Sequence, residues 1–266
     1  MSDEATLVSH GCDLHVDGAA AGRLAALLSE ALGVGGPLPA VPFIFAMRLA
    51  ADAVASAAWA DDTGDGRILL HESQTIRSFR PLAAGETLSA VLEGRRQAPT
   101  SGLVMTAADG AGLPVIEATT RLRHGTAAML LAARSGMKSP ARANAEAFSI
   151  QSRPLTASIV DAYAETSGDA NPLHTDEILV RSLGLPARIV HGMLIAGLAE
   201  PALLAAGMAG RLSELRVRFI APVYVGENVR LTITRQPSTE TARKARIVVS
   251  IDEGPVACIA DALVEA

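Results

Sequence analysis

Apolar positions along this chain switch between two periods. Val229 to Thr234 (Val-Arg-Leu-Thr-Ile-Thr) alternates apolar and polar residues, and Ala245 to Ile251 does the same. A period of two places alternate side chains on one face, which predicts half-buried strands. Thr87 to Leu92 and Leu103 to Ala107 predict equivalent strands in the first half. Gly18 to Leu32 follows the helical period instead, with Leu24, Leu27, Leu28 and Leu32 on one face. Two stretches are apolar nearly all round and predict buried helices: Phe43 to Trp59, opening after Pro42, and Met193 to Met208. A shorter helix is expected from Ala157 to Thr166, with Ile159, Val160 and Tyr163 inward and Gly168 ending it. Phe43, Phe45 and Trp59 either line a tunnel or fill the core, and core is the expected place.

The pattern repeats. Arg77, Pro81, Gly85, Glu86 and Leu88 recur as Arg218, Pro222, Gly226, Glu227 and Val229, and Pro114-Val115 recurs as Pro255-Val256. The offset is 141 throughout, 81 to 222 and 85 to 226. A gapless repeat of this length argues for a duplicated fold. Residues 1–125 and 148–266 are the two expected units, joined by a connecting segment at 126–147. Within the connector Thr126 to Arg134 suits one or two helical turns, and Ser135 to Asn144 is a polar loop. The two sheets are expected to pair edge to edge as one pseudo-dimer, which hides edges that would otherwise recruit other strands.

Composition narrows the class. The 266 residues carry a formal net charge of −5, with no long basic run, which disfavours nucleic acid as the main partner. Two cysteines, Cys12 and Cys258, make no disulfide framework. Cys258 sits in an apolar run and reads as a small core residue. The start Met-Ser-Asp-Glu is acidic and unlike a secretory leader. Ile189 to Met208 is long enough to raise a membrane span, but it contains His191, Glu200 and Pro201 and lacks flanking aromatics. A buried helix in a soluble, cytoplasmic protein is the expectation. Gly33-x-Gly35-Gly36 has no preceding strand and no following lysine, so it is not a phosphate-binding turn.

Candidate chemistry concentrates in Ser167-Gly168-Asp169-Ala170-Asn171-Pro172-Leu173-His174 and in His191-Gly192-Met193. Asn171-Pro172 breaks helical structure, and Asp176 suits the N-cap of a helix from Glu177 to Leu183. Asp169 and His174 are therefore expected on a tight, non-helical excursion between two helices. A carboxylate and an imidazole held together can activate a water, each worth about 10²–10⁴ in rate when positioned. Asn171 can orient one of them without adding charge. Taken singly, each is more plausibly a turn residue or loop histidine; together, with the downstream pair, they favour function. Gly192 falls in the first turn of the apolar helix, where a free N–H favours developing negative charge. His191 reads as a packed histidine and is given no chemical role. A metal held by Asp169, His174, Asp176 and His191 is disfavoured, because Asp176 is better used as a cap and zinc sites want closed ligand sets.

These residues resemble the signature of MaoC-like dehydratases and the hydratase 2 family of (R)-specific enoyl-CoA hydratases: Ser167 to Asp176, then Gly184, then His191 to Met193. The resemblance implies an α+β double hot-dog, each unit an antiparallel sheet wrapped around a long central helix. It implies Asp169 and His174 as the catalytic pair, Asn171 in support and the Gly192 N–H polarising a thioester carbonyl. The activity implied is reversible hydration of trans-2-enoyl thioesters, a hydro-lyase reaction of fatty acid metabolism. No metal or redox cofactor is expected, coenzyme A being part of an acyl-CoA substrate, with acyl-carrier-protein thioesters as an alternative. The chain departs from the pattern at Glu177, Val180, Leu183 and Arg188, expected to alter helix packing and pocket shape. Leu70-His71-Glu72-Ser73-Gln74 with Arg80-Pro81-Leu82 and Gly85 is similar to the first half of two-hot-dog hydratases, where that half lacks the catalytic pair and shapes the acyl pocket. A hot-dog thioesterase and a non-catalytic acyl-thioester binding module are the competing readings. One chain as a pseudo-dimer, or a homodimer, would serve the reaction.

Overall fold

The computed structural model describes residues 6–57, 68–97, 100–136, 147–239, 241–252 and 254–266. The first half runs β1 (Thr6–His15), α1 (Gly18–Leu32), a 3-10 turn (Phe43–Phe45), α2 (Ala46–Ser56), β2 (Ile68–Ser78), β3 (Thr87–Gln97), β4 (Thr100–Ala108) and β5 (Pro114–Gly125). The connector carries α3 (Ala127–Ala133). The second half runs β6 (Phe148–Gln151), α4 (Ala157–Ser167), α5 (Pro172–Thr175), α6 (Glu177–Ser182), α7 (Gly192–Gly197), α8 (Ala199–Ala205), β7 (Arg211–Phe219), β8 (Val229–Gln236), β9 (Ala242–Ile251) and β10 (Val256–Glu265).

All ten strands form one antiparallel sheet in the order β1-β3-β4-β5-β2-β7-β10-β9-β8-β6. Each half holds its five strands in the same internal order, and the halves join edge to edge through β2 and β7. Thr75 pairs with Arg216, its own counterpart at the offset of 141, so a pseudo-twofold axis passes between them. The repeat extends to hydrogen bonds. Gly85 N–H donates to Val16 O and Gly226 N–H to Leu155 O, both at 2.8 Å. Val16 N–H donates to Glu86 O and Leu155 N–H to Glu227 O, both at 2.9 Å. The duplicated fold and the edge pairing are as the sequence predicts.

The concave side wraps the helices. α1 buries Leu24, Leu27, Leu28 and Leu32, the face the periodicity predicts, and its N–H groups are capped by Asp17. Phe43 and Phe45 lie in the main core and not on the cavity wall. Trp59 lies outside the described residues. The expected continuous helix from Met193 to Met208 is instead two segments, α7 and α8, meeting at Leu198. Pro201 is the physical reason: it has no N–H to give Gly197 O, and its ring crowds that carbonyl. No helix among the described residues is long and apolar enough to cross a membrane.

Candidate active site

The halves differ most between their first and second helices. In the first half that stretch is the Gly/Pro loop after α1; in the second it carries α5 and α6. α4 ends at Gly168, whose φ of 75° is the left-handed conformation a helix C-cap uses. Ser167 Oγ then accepts from Asp169 N–H at 3.3 Å, and Asp169 Oδ1 accepts from Asn171 N–H at 3.2 Å. Asn171 Oδ1 caps the next turn through Leu173 N–H at 3.1 Å. That turn is helical, which corrects the expected non-helical excursion: His174 lies within α5, because Pro172 presets the first helical residue and Asn171 supplies the cap. Asp176 caps α6 through Leu179 N–H at 2.9 Å, as predicted.

Asp169, Asn171, His174 and Gly192 all line one cavity of about 570 Å³ between the halves. Ring nitrogens facing carbonyl oxygens must carry the proton, and this fixes both tautomers. His174 Nδ1 lies 2.8 Å from Ile189 O, so Nδ1 donates and Nε2 keeps a free lone pair. His191 Nε2 lies 3.0 Å from Asp169 O, so it donates there, leaving a buried Nδ1 with no partner. The two imidazoles stack with centroids 3.9 Å apart, and Tyr163 closes the other side of His191 at 4.9 Å. Burial holds His174 below the ordinary imidazole value of 6.5, although the Asp169 charge opposes this. Burial and then the neighbouring His174 press His191 down to about 4. Burial raises the Tyr163 phenol, with the Asp169 charge adding to it. The site therefore presents neutral imidazoles beside Asp169.

Gly192 opens α7 with an N–H that has no intrahelical acceptor. Its lack of a side chain is required by contact, since a Cβ there would stand 2.8 Å from the Phe219 ring. Ligand atoms of Asp169, His174 and His191 lie within 4.8 Å of one another, a spacing a cation could span, while Asp176 is spent on its cap. Glu177, Val180, Leu183 and Arg188 are not on the cavity wall themselves, and the packing effect expected of them is seen behind it. Val180 and Leu183 build a satellite core with Leu173 and Ile189. Arg188 pairs with Asp161 at 2.7 Å.

Three further contributors reach the cavity, two of them from outside the second half. His71, from β2, lines the same cavity with its ring 4.9 Å from Phe219 and Nε2 3.1 Å from Gln74 Oε1. Burial takes it down to about 4, against the pull of Gln74. Cys258 is a buried core residue as expected, but it also reaches the cavity wall, and burial pushes its thiol up to about 12. Helix α3 adds Met129, Leu130 and Ala133. The signal for His71 was the Leu70–Gln74 stretch itself; nothing local marks α3 as a wall.

The MaoC like domain model matches residues 140–253. The chain is 37% identical over 108 residues to 3-hydroxyacyl-thioester dehydratase Y of Mycobacterium tuberculosis, covering 35% of this chain and 37% of that protein. It is 30% identical over 108 residues to 3-hydroxybutyryl-CoA dehydratase of Methylorubrum extorquens, covering 40% of this chain and 68% of that one. Among solved structures, a MaoC-like dehydratase superposes over 97% of both chains with a TM-score of 0.75 at 20% identity, which establishes a shared fold. The chain spans 57%, 37% and 10% of the lengths of the first curated relatives it matches.

Proposed function

Because this chain belongs to the MaoC-like dehydratase family, we propose that it is a hydro-lyase adding water reversibly to trans-2-enoyl thioesters, the (R)-specific enoyl-CoA hydratase and 3-hydroxyacyl-CoA dehydratase reaction. One observation carries the reading. A neutral imidazole with Nε2 free stands beside a carboxylate on the wall of a largely apolar cavity, next to the Gly192 N–H. The relatives support the reaction class, since one is a 3-hydroxyacyl-thioester dehydratase and another a 3-hydroxybutyryl-CoA dehydratase.

In the hydration direction a water sits between Asp169 and His174. Its oxygen bonds to C3 of the enoyl group while His174 Nε2 takes one of its protons. Asp169 holds the other O–H. The C2–C3 π pair moves toward the thioester, and the negative oxygen meets the Gly192 N–H, a donor worth roughly 3 kcal/mol in an oxyanion hole. C2 then takes the proton back from His174, so H and OH are added and no group is consumed. Dehydration is the same path reversed. All groups come from the chain and one water, so a chelator should leave the rate unchanged.

In this reading residues 148–266 hold the catalytic set, and residues 1–125 help shape the acyl pocket through Leu69, Leu70 and His71. The substrate is an acyl-CoA. Arg123 and Arg218 line the cavity, are exposed, and pair with no carboxylate among the described residues, so they are available to the carrier's phosphates. The test is loss of the conjugated enoyl-thioester absorbance when the purified chain meets crotonyl-CoA or a longer enoyl-CoA, with Asp169→Asn beside it. Rapid loss that collapses in the variant is expected. Free thiol release in place of hydration would indicate a thioesterase, and binding without turnover would indicate a binding module.

A further inference from the structure

We propose that helix α3, a piece of the connector, is a specificity-determining wall for the acyl chain, held in place by an Arg134–Glu227 latch; the inference rests on the thioester reading above. The segment Ala-Ala-Met-Leu-Leu-Ala-Ala of α3 has no polar side chain, yet none of its residues is fully buried. Met129 and Leu131 keep 39% and 42% of their surface exposed. Met129, Leu130 and Ala133 face the cavity together with Leu69, Leu70 and Leu122. These six side chains offer no hydrogen-bond donor or acceptor, although Arg123, opposite Leu70 across the β2–β5 pairing, lines the same cavity. The six therefore suit a hydrocarbon chain and not the amides of a pantetheine arm.

Both ends of α3 are fixed. At its start the chain leaves β5 at Gly125, where a Cβ would run into Leu70, and Thr126 caps the helix. At its end Arg134 donates to Glu227 Oε1 at 2.6 Å and Oε2 at 2.8 Å, and to Pro222 O at 3.1 Å. Its guanidinium lies 4.9 Å over the Tyr224 ring. The internal repeat shows that this latch is a departure from symmetry. In the first half Glu86 accepts from Ala83 N–H at 2.6 Å and pairs with Arg80 at 2.7 Å. In the second half Glu227 accepts from Tyr224 N–H at 2.8 Å, the same bond 141 residues on. The counterpart of Arg80, however, is Ala221, a cavity-wall residue. Glu227 takes its guanidinium from the connector instead. The substitution opens space at the wall and ties α3 across it.

The test measures binding of saturated acyl-CoAs, from butyryl to palmitoyl, by calorimetry, because these cannot be hydrated. Turnover of the matching enoyl-CoAs is followed in parallel. Ala133→Phe should weaken the longer chains by roughly tenfold or more, as one or two misplaced methylenes do, while butyryl-CoA stays within about twofold. Met129→Ala, which only removes atoms, should move the preference toward longer chains. Arg134→Ala should flatten the length dependence. Identical length profiles in the wild type and all three folded variants would overturn the proposal, and turnover that survives in that case would leave the hydratase reading intact. A wild type that binds with a length preference shifted by the variants, yet hydrates no enoyl-CoA, would support the wall and remove the hydratase.

Discussion

At the scale of single residues, protonation states decide the chemistry. His174 can accept a proton only while neutral, and burial keeps it neutral below its ordinary value of 6.5. The acid limb of kcat/KM should therefore fall below pH 6.5, which a pH–rate profile on crotonyl-CoA would measure; a limb above 6.5 would remove His174 as the base. Asp169→Asn and His174→Gln should each lower kcat by about 10²–10⁴. His191 is the residue whose part the sequence hides. Its Gly-flanked place before an apolar helix reads as a packed histidine, and packed it is, at 1% exposed. Only the fold reveals that one ring holds both neighbours, donating to Asp169 O and stacking on His174. His191→Phe keeps the stack and leaves that carbonyl unpaired, which costs about 1–3 kcal/mol for a buried group. Kcat should drop by about tenfold or more with KM little changed. An unchanged kcat in a folded variant would reduce His191 to filler.

At the scale of elements, the excursion works because its caps are the residues nearest the chemistry. Asn171 is both a cavity residue and the cap of α5, so it positions His174 through the backbone. Loss of an N-cap costs about 1 kcal/mol. Asn171→Ala should lower both the thermal midpoint and kcat, whereas Asn171→Asp should recover the midpoint, since it keeps the capping oxygen, but not kcat, since it sets a second carboxylate near Asp169. Recovery of both by Asp would mean that the cap alone matters. Elements with strong local signals were legible in the sequence: α1 matches the predicted Gly18–Leu32, and the cap Asp176 and the stop Gly168 stand where expected. α5 was not, because a single turn has no periodicity and Asn-Pro marks a break as readily as a start. The division of α7 from α8 follows from Pro201, whose effect was masked by the unbroken apolar run around it. The α3 wall escaped notice because its partners, Leu70 and Glu227, are distant in sequence and meet it only through the sheet.

At the scale of the molecule, the two halves are joined by more than the β2–β7 edge. Glu200 of α8, 9% exposed, accepts from Phe43 N–H of the first half at 2.9 Å. Burial raises its carboxyl to about 7, the hydrogen bond only partly opposing this. The folded value lies above the ordinary 4.5, so the folded state keeps a proton that the unfolded chain loses between pH 4.5 and about 7. Stability from this group therefore falls as pH rises through that window, and the full cost, on the order of 3 kcal/mol, is borne above it. His71 and His191 act in the opposite sense. Their folded values near 4 lie below 6.5, so they destabilise the fold progressively as pH falls from 6.5 toward 4. With His174 also held below 6.5, three histidines against one glutamate should give net acid loss below pH 6.5. Glu200→Gln keeps an acceptor for Phe43 N–H and removes the ionisation. Denaturant unfolding should find it more stable than wild type at pH 8, with the advantage shrinking to nothing by pH 4.5. An equal gain at both pH values would mean that the side chain contributes through packing and not through charge, and the clasp between the halves would then be independent of pH.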